Sequence, residues 1–376
     1  MEAIKITFTG DFCPLNRVED LARQQDFGTV FNDFMDVFLG NDLNVVDLEC
    51  PLTILGLARK KTGPHQKAHP DGVNLLKYAG IHLAAMANNH IMDYGAEAVR
   101  DTLKLLRANG IRTVGIGHTL EEASKPYSVN LKGKRIAILN VADNEFLTAP
   151  DGSFVCNHID PVRCFQSIGQ ARSDHDYVFV IAHAGNEFYE LPSPRTKSLY
   201  RGMVDAGADA VVSHHTHAYS GYEVYRSGHI FYGLGNFIYD WPGKRNTGWN
   251  RGYVVRLHLM DKVEFEVIPL KQGNEEPGVR HLNSEEEEAF RNNLARLNGI
   301  IADDEQLEQK FQEYCESVFQ MYDAFLEPYF GKYVTALRKR GLFPRLVSKR
   351  KRLLYLNLIR CDSHREVLLR LLKQNS

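Results

Sequence analysis

The chain has 376 residues, a formal net charge of −2, 44% hydrophobic and 24% charged residues. Such a chain is long enough for one large α/β domain with an extension, or for two domains. The balanced charge argues against nucleic acid as a partner, and no apolar run approaches the roughly 20 residues of a membrane span.

The chain enters a strand pattern at once, at 4–9, ending in Gly10-Asp11. It shows no basic and apolar leader, so the expected location is cytoplasmic. Helical spacing at Phe31, Phe34, Met35 and Phe38 predicts a helix over 27–39. A buried strand over 43–48 ends at Glu49, and another over 82–86 ends in Asn88-Asn89-His90. A helix over 96–109 stops at Gly110, and a short strand covers 112–114. Lys132-Gly133-Lys134 joins two strands as a hairpin. Next come a helix near 164–172, a strand over 177–182 ending at His183, and a helix over 194–205 with Ser193 as cap. The strand 210–212 leads into Ser213-His214-His215-Thr216-His217. From there strands follow without helices, at 222–225, 229–232, 252–259 and 263–270. Two mixed sheets packed face to face, with outer helices, satisfy both halves of the pattern. The polar stretch 271–278 reads as a linker, and 279–376 as a helical extension with helices at 303–326, 332–340 and 348–372. Six cysteines without a Cys-x-x-Cys pair predict free thiols.

The acidic, amide and imidazole groups lie just past strand ends, where open α/β sheets bind ligands. Asp11, Glu49, Asn89, His183, His215 and His217 together supply what a dinuclear metal site requires. Two ions ~3.5–4 Å apart would activate a bridging hydroxide. Taken singly, Asp11 reads equally as a turn residue, Asn89 as a turn cap and His183 as a hydrogen-bonded core histidine.

The motifs Gly10-Asp11, Asp47-Leu48-Glu49, Asn88-Asn89-His90 with Asp93, His183-Ala184-Gly185-Asn186-Glu187, His214-His215-Thr216-His217 and Leu234-Gly235-Asn236-Phe237 occur in this order. Over about residues 4–270 the chain resembles the poly-γ-glutamate capsule synthesis (CapA) family, which is similar in fold to the calcineurin-like metallophosphatases. The resemblance implies a four-layer sandwich, two mixed β-sheets flanked by helices, in a catalytic domain 1–270. It implies that Asp11 and His217 hold one divalent ion, that Asn89, His183 and His215 hold a second, and that Glu49 bridges them. The ions could be Mn, Fe, Zn, Mg or Ca. His90 would assist the leaving group, while Glu187 and Arg17 would bind substrate. Cys13 stands where metallophosphatases carry a His, and is either a soft ligand or a packed side chain. His214 is an additional ligand or a supporting residue. Ala184 stands where the family commonly has Trp. The implied activity is hydrolysis of an amide or ester in poly-γ-glutamate or related surface polymer. A phosphoesterase and a non-enzymatic assembly factor are the alternatives.

Tyr239, Trp241 and Trp249 are candidates for a cleft wall. The basic cluster from Arg338 to Arg352 is either a solvated helix face or a weak contact with anionic membrane or polymer.

Overall fold

A computed structural model of the protein describes residues 3–319 and 348–374, with positions 322, 333, 337, 340 and 342 between them. The strands are β1 Ile4–Phe12, β2 Leu43–Leu48, β3 Leu83–Ala85, β4 Arg112–Val114, β5 Ile116–Gly117, β6 Tyr127–Leu131, β7 Lys134–Ala142 and β8 Val155–Cys156. They continue as β9 Tyr177–His183, β10 Ala210–His214, β11 Tyr222–Tyr225, β12 Gly228–Phe231, β13 Asn236–Ile238, β14 Arg251–Leu259, β15 Val263–Gln272 and β16 Val279–His281. The helices are α1 Arg17–Arg23, α2 Phe27–Phe31, α3 Gly72–Tyr78, α4 Gly95–Ala108, α5 Leu120–Ala123, α6 Pro161–Asp174 and α7 Pro194–Asp205, then α8 Ser284–Ala302, α9 Asp304–Ser317, α10 Lys349–Arg360 and α11 Asp362–Gln374.

One sheet has the order β16-β15-β14-β1-β2-β3-β4, with β13 paired to the end of β1. The other has the order β11-β12-β10-β9-β7-β6. Both are mixed: β1 to β4 run parallel while β14 runs antiparallel to β1, and β7, β9, β10 and β12 run parallel between antiparallel edges β6 and β11. Alternation in β2 shows the layering. Leu43 and Val45 join the core shared with β7 and β9, whereas Val46 and Leu48 face a second core closed by α3 and α4. The mixed, helix-flanked two-sheet architecture is the expected one.

Two close approaches fix the strand ends that carry the site. A Cβ at Gly10 would sit 2.1 Å from the Gly235 carbonyl oxygen, so only glycine lets the chains meet there. The Asp11 amide then donates to that carbonyl at 3.1 Å. Phe237, two residues on, is ringed by Phe12, Phe31, Phe34 and Phe38 at centroid distances from 5.6 to 6.4 Å.

Several boundaries differ from expectation. The helix expected over 27–39 is α2 followed by a 3-10 stretch, Asn32–Phe38, because Asn32 takes φ 47° at the junction. The stretch expected as a linker is a hairpin turn. β15 runs to Gln272, which pairs with Val279 of β16. Gln272 and Asn274 are polar, yet both are buried and hydrogen-bond the backbone of the 239–246 loop. The region beyond therefore begins inside the first sheet, and α8 adds Phe290, Leu294 and Leu297 to the main core. The helix expected over 348–372 is two helices, broken by extended backbone at Cys361. The segment expected at 332–340, and the end of that expected at 303–326, lie outside the described residues.

Candidate metal centre

The carboxyl ends of β1, β2 and β10 converge. Asp11 pairs in register with Asp47 on one side and with Asn236 on the other. Strand β10 extends through His214, which donates from Nδ1 to Asp11 Oδ1 at 3.0 Å. His214 thereby props a carboxylate from inside the sheet. Just beyond, the backbone takes positive φ at His215 (86°) and His217 (53°), a left-handed conformation unusual for side chains with a Cβ. Strain of this kind costs about 1–3 kcal/mol per residue. Here it turns alternate imidazoles to the same side.

Two donor sets result, with Glu49 between them. In the first, Asp11 Oδ2 lies 3.2 Å from His217 Nδ1, and His217 Nε2 lies 3.4 Å from Glu49 Oε1. Asn236 Oδ1 accepts from His217 Nδ1 at 2.9 Å, which leaves Nε2 as the lone-pair nitrogen. In the second, His183 Nε2 lies 3.1 Å from Asn89 Oδ1, 3.2 Å from His215 Nδ1 and 3.9 Å from Glu49 Oε1. Asp47 Oδ2 accepts from His183 Nδ1 at 3.1 Å and fixes that ring.

These groups fit cations. A lone-pair nitrogen on His183 and an amide oxygen on Asn89 repel at 3.1 Å unless a positive charge lies between them. Both Glu49 oxygens are buried without a hydrogen-bond partner. Among the described residues, the ion-pair partners of Asp11, Asp47 and Glu49 are all imidazoles. Burial, then the charges of Asp11, Asp47 and Glu187, pushes the Glu49 carboxyl well above the ordinary range. Burial also opposes the Asp11 charge, but His214 and His217 hold that carboxyl far below its usual range. Burial and the neighbouring His183 keep His215 well below the usual imidazole range.

The sequence profile of the bacterial capsule synthesis protein PGA_cap matches residues 5–241. The chain belongs to the PGA_cap family. That family lies within the metallophosphatase-like superfamily. Its curated relatives include the capsule biosynthesis protein CapA of Bacillus anthracis, 30% identical over 73% of this chain and 70% of that protein. The PGA biosynthesis protein CapA of Bacillus subtilis is 31% identical over 72% of each chain. A Mycobacterium tuberculosis protein named a probable polyglutamine synthesis accessory protein is 25% identical over 68% of this chain and 72% of that one. A solved structure of a hypothetical protein from Thermus thermophilus aligns with TM-score 0.43 and 16% identity, covering 71% of this chain and 99% of that one.

In this PGA_cap protein His90 stands beside the donor sets without joining either. Its Nδ1 donates to Asp93 Oδ2 at 2.6 Å, which leaves Nε2 outside that bond. Burial and the Lys61 charge lower its pKa, against the pull of Asp93. Lys61 is itself buried and pairs with Asp93.

Glu187 is exposed at the rim, where its charge reaches Glu49, His90 and His217. Arg17 is placed differently from the expected substrate clamp. Its Nε and NH2 bond Asp240 at 2.8 and 2.7 Å, and further donors go to the carbonyls of Asn274 and Glu275. Those partners hold it as a brace between loops. Cys13 is buried beside Cys50 in the second core and belongs to none of the ligand-forming clusters of the described residues.

Trp249 packs on His217 at 4.5 Å between centroids, with Tyr239 edge-on at 5.4 Å. A cleft of about 500 Å³ opens from His217, lined by Phe188, Lys244, Trp249 and Arg296.

Asp143 and Glu145 were not foreseen. Val141-Ala142-Asp143-Asn144-Glu145 has the same strand-then-acid form as Asp11 and Glu49. Glu145 Oε2 accepts from Asn89 Nδ2 at 3.4 Å, and its Oε1 accepts from Asn357 of α10 at 2.7 Å. Ser363 bonds Asp143. The C-terminal helices thus reach the back of the second donor set.

Proposed function

We propose that this protein is a metal-dependent hydrolase acting on an amide or ester bond of poly-γ-glutamate or related surface polymer. The reading is carried by Glu49, a buried carboxylate with both oxygens free of hydrogen bonds between two sets of donors. Asp11 and His217 would hold one divalent ion, Asn89, His183 and His215 a second, and Glu49 both. Bound there, the ions would supply Lewis acidity and lower the pKa of a water. The protein's own part is orientation and proton transfer. Asp47 and Asn236 fix the tautomers of His183 and His217. Asp93 holds His90 so that Nε2 exchanges a proton with the leaving group.

Lys244 and Arg296 beside Phe188 and Trp249 suit an anionic polymer lying along the cleft. Glu187 at the rim would orient its polar groups. The start of α10, Lys349-Arg350-Lys351-Arg352, offers a further basic contact for polymer or anionic membrane. Flotation with anionic vesicles at low salt checks the membrane contact, and no binding removes it. Among the described residues no helix is long and apolar enough to cross a membrane.

The test is turnover by the full chain, stripped and reloaded with each candidate metal, on γ-glutamyl amides and on aryl phosphates. Amide or ester turnover that collapses in His90→Ala and Glu49→Ala supports the reading. Turnover of phosphates alone replaces the substrate with a phosphoester. No turnover of either class favours an accessory role, the one in the name of the mycobacterial relative.

A further inference from the structure

The break between α10 and α11 brings a second set of metal-ligand types together. Glu145, Cys361 and His364 each offer an atom within 4.8 Å of the others. The spacing Cys361-Asp362-Ser363-His364 puts the thiol just before α11 and the imidazole in its first turn, and Glu145 arrives from the loop after β7. The orientation of His364 is fixed. Its Nδ1 contacts the Tyr322 hydroxyl at 2.8 Å, so Nε2 is the nitrogen turned to Glu145.

His364 Nε2 lies 3.7 Å from Glu145 Oε1, beyond hydrogen-bond distance. Metal–ligand bonds of ~2.0–2.3 Å at tetrahedral angles place ligand atoms on the order of 3.3–3.6 Å apart. Glu145 Oε1 accepts one hydrogen bond, from Asn357, and a carboxylate oxygen has a second lone pair for a cation. Cys361 is buried. His364 keeps 34% of its side chain exposed, giving an ion a route in and a water a fourth position.

We propose that Glu145, Cys361 and His364 form a cation site of zinc type that fastens the C-terminal helices to the sandwich. Thiolate, imidazole and carboxylate together select zinc-like ions over magnesium or calcium. Binding would displace the thiol proton to solvent and leave the ion held by sulfur, nitrogen and oxygen. The site is separate from the donor sets of Glu49 and does not depend on the hydrolase reading. It touches them through Glu145, which also accepts from Asn89.

The experiment uses the full chain stripped with a chelator and titrated with Co(II), then separately with Zn(II). The expected result is a near-ultraviolet thiolate-to-cobalt charge-transfer band in the wild type. The band persists in Glu49→Gln, Cys13→Ser and Cys50→Ser and is lost in Cys361→Ser. Zinc stoichiometry falls by one per chain in Cys361→Ser and in His364→Gln. Absence of the band in the wild type, or its survival in Cys361→Ser, overturns the site. Should Cys361→Ser fail to fold by circular dichroism, His364→Gln decides, and an unchanged zinc stoichiometry there overturns it. A metal stoichiometry unchanged in Glu49→Gln, with the band intact, overturns the Glu49 centre alone and supports this site.

Discussion

The two halves of the centre are made from different chemistry. The half of Asp11, Glu49 and His217 carries charge, with Asp11 set by the pairing of β1 with β2 and β13 and propped by His214, and with the His217 ring held by Asn236. The half of Asn89, His183 and His215 is amide and imidazole, and its rings are set by side-chain hydrogen bonds. Asp47 stands behind His183, and Glu145 stands behind Asn89. Each half is thus propped by side chains, the first by His214 and Asn236 and the second by Asp47 and by Glu145, which Asn357 of α10 in turn holds.

Glu49→Gln breaks both halves at once. Metal content measured after gentle purification should fall to that of the Cys361 site alone, and turnover to background. Asp47→Asn should weaken the second ion roughly 10–100-fold while sparing the first, because it loosens only the His183 ring. Calorimetric titration should then show two separated binding steps, and a single unshifted step would remove the distinction between the halves. Asn357→Ala tests the other prop. Losing a buried hydrogen bond to a charged group costs about 1.5–3 kcal/mol, which should appear as a lower Tm and a weaker second step. Lys244→Ala lies outside both halves, at the cleft wall. It should raise KM for an anionic polymer only ~2–5-fold, as expected for a partly exposed charge worth up to about 1 kcal/mol. An equal effect on a neutral substrate would show that the side chain acts by shape.

Both halves are legible where strands end. Asp11, Glu49 and His183 follow apolar runs, and local periodicity finds such ends. Glu145 obeys the same rule, but β7 runs to Ala142, past the apolar pattern ending near Asn140, because Ala142 pairs with His183. That pairing is not written in local periodicity. Arg17 looked free because its partner Asp240 lies 223 positions away. The linker expected at 271–278 failed for a similar reason, since Gln272 and Asn274 spend their polarity on buried backbone groups. Cys361 and His364 have ligand spacing, but their third partner is 216 positions away and arrives only through the fold.

The sheet order has a consequence for biosynthesis. β1 carries Asp11 and is made before the other strands of its sheet, yet it ends up central, between β2 and β14. Its antiparallel neighbour begins at Arg251. At roughly 5–20 residues per second, the ribosome needs on the order of tens of seconds to supply it. Through that interval one edge of the strand lacks its native partner, so the nascent chain is most open to intermolecular pairing before its centre can assemble.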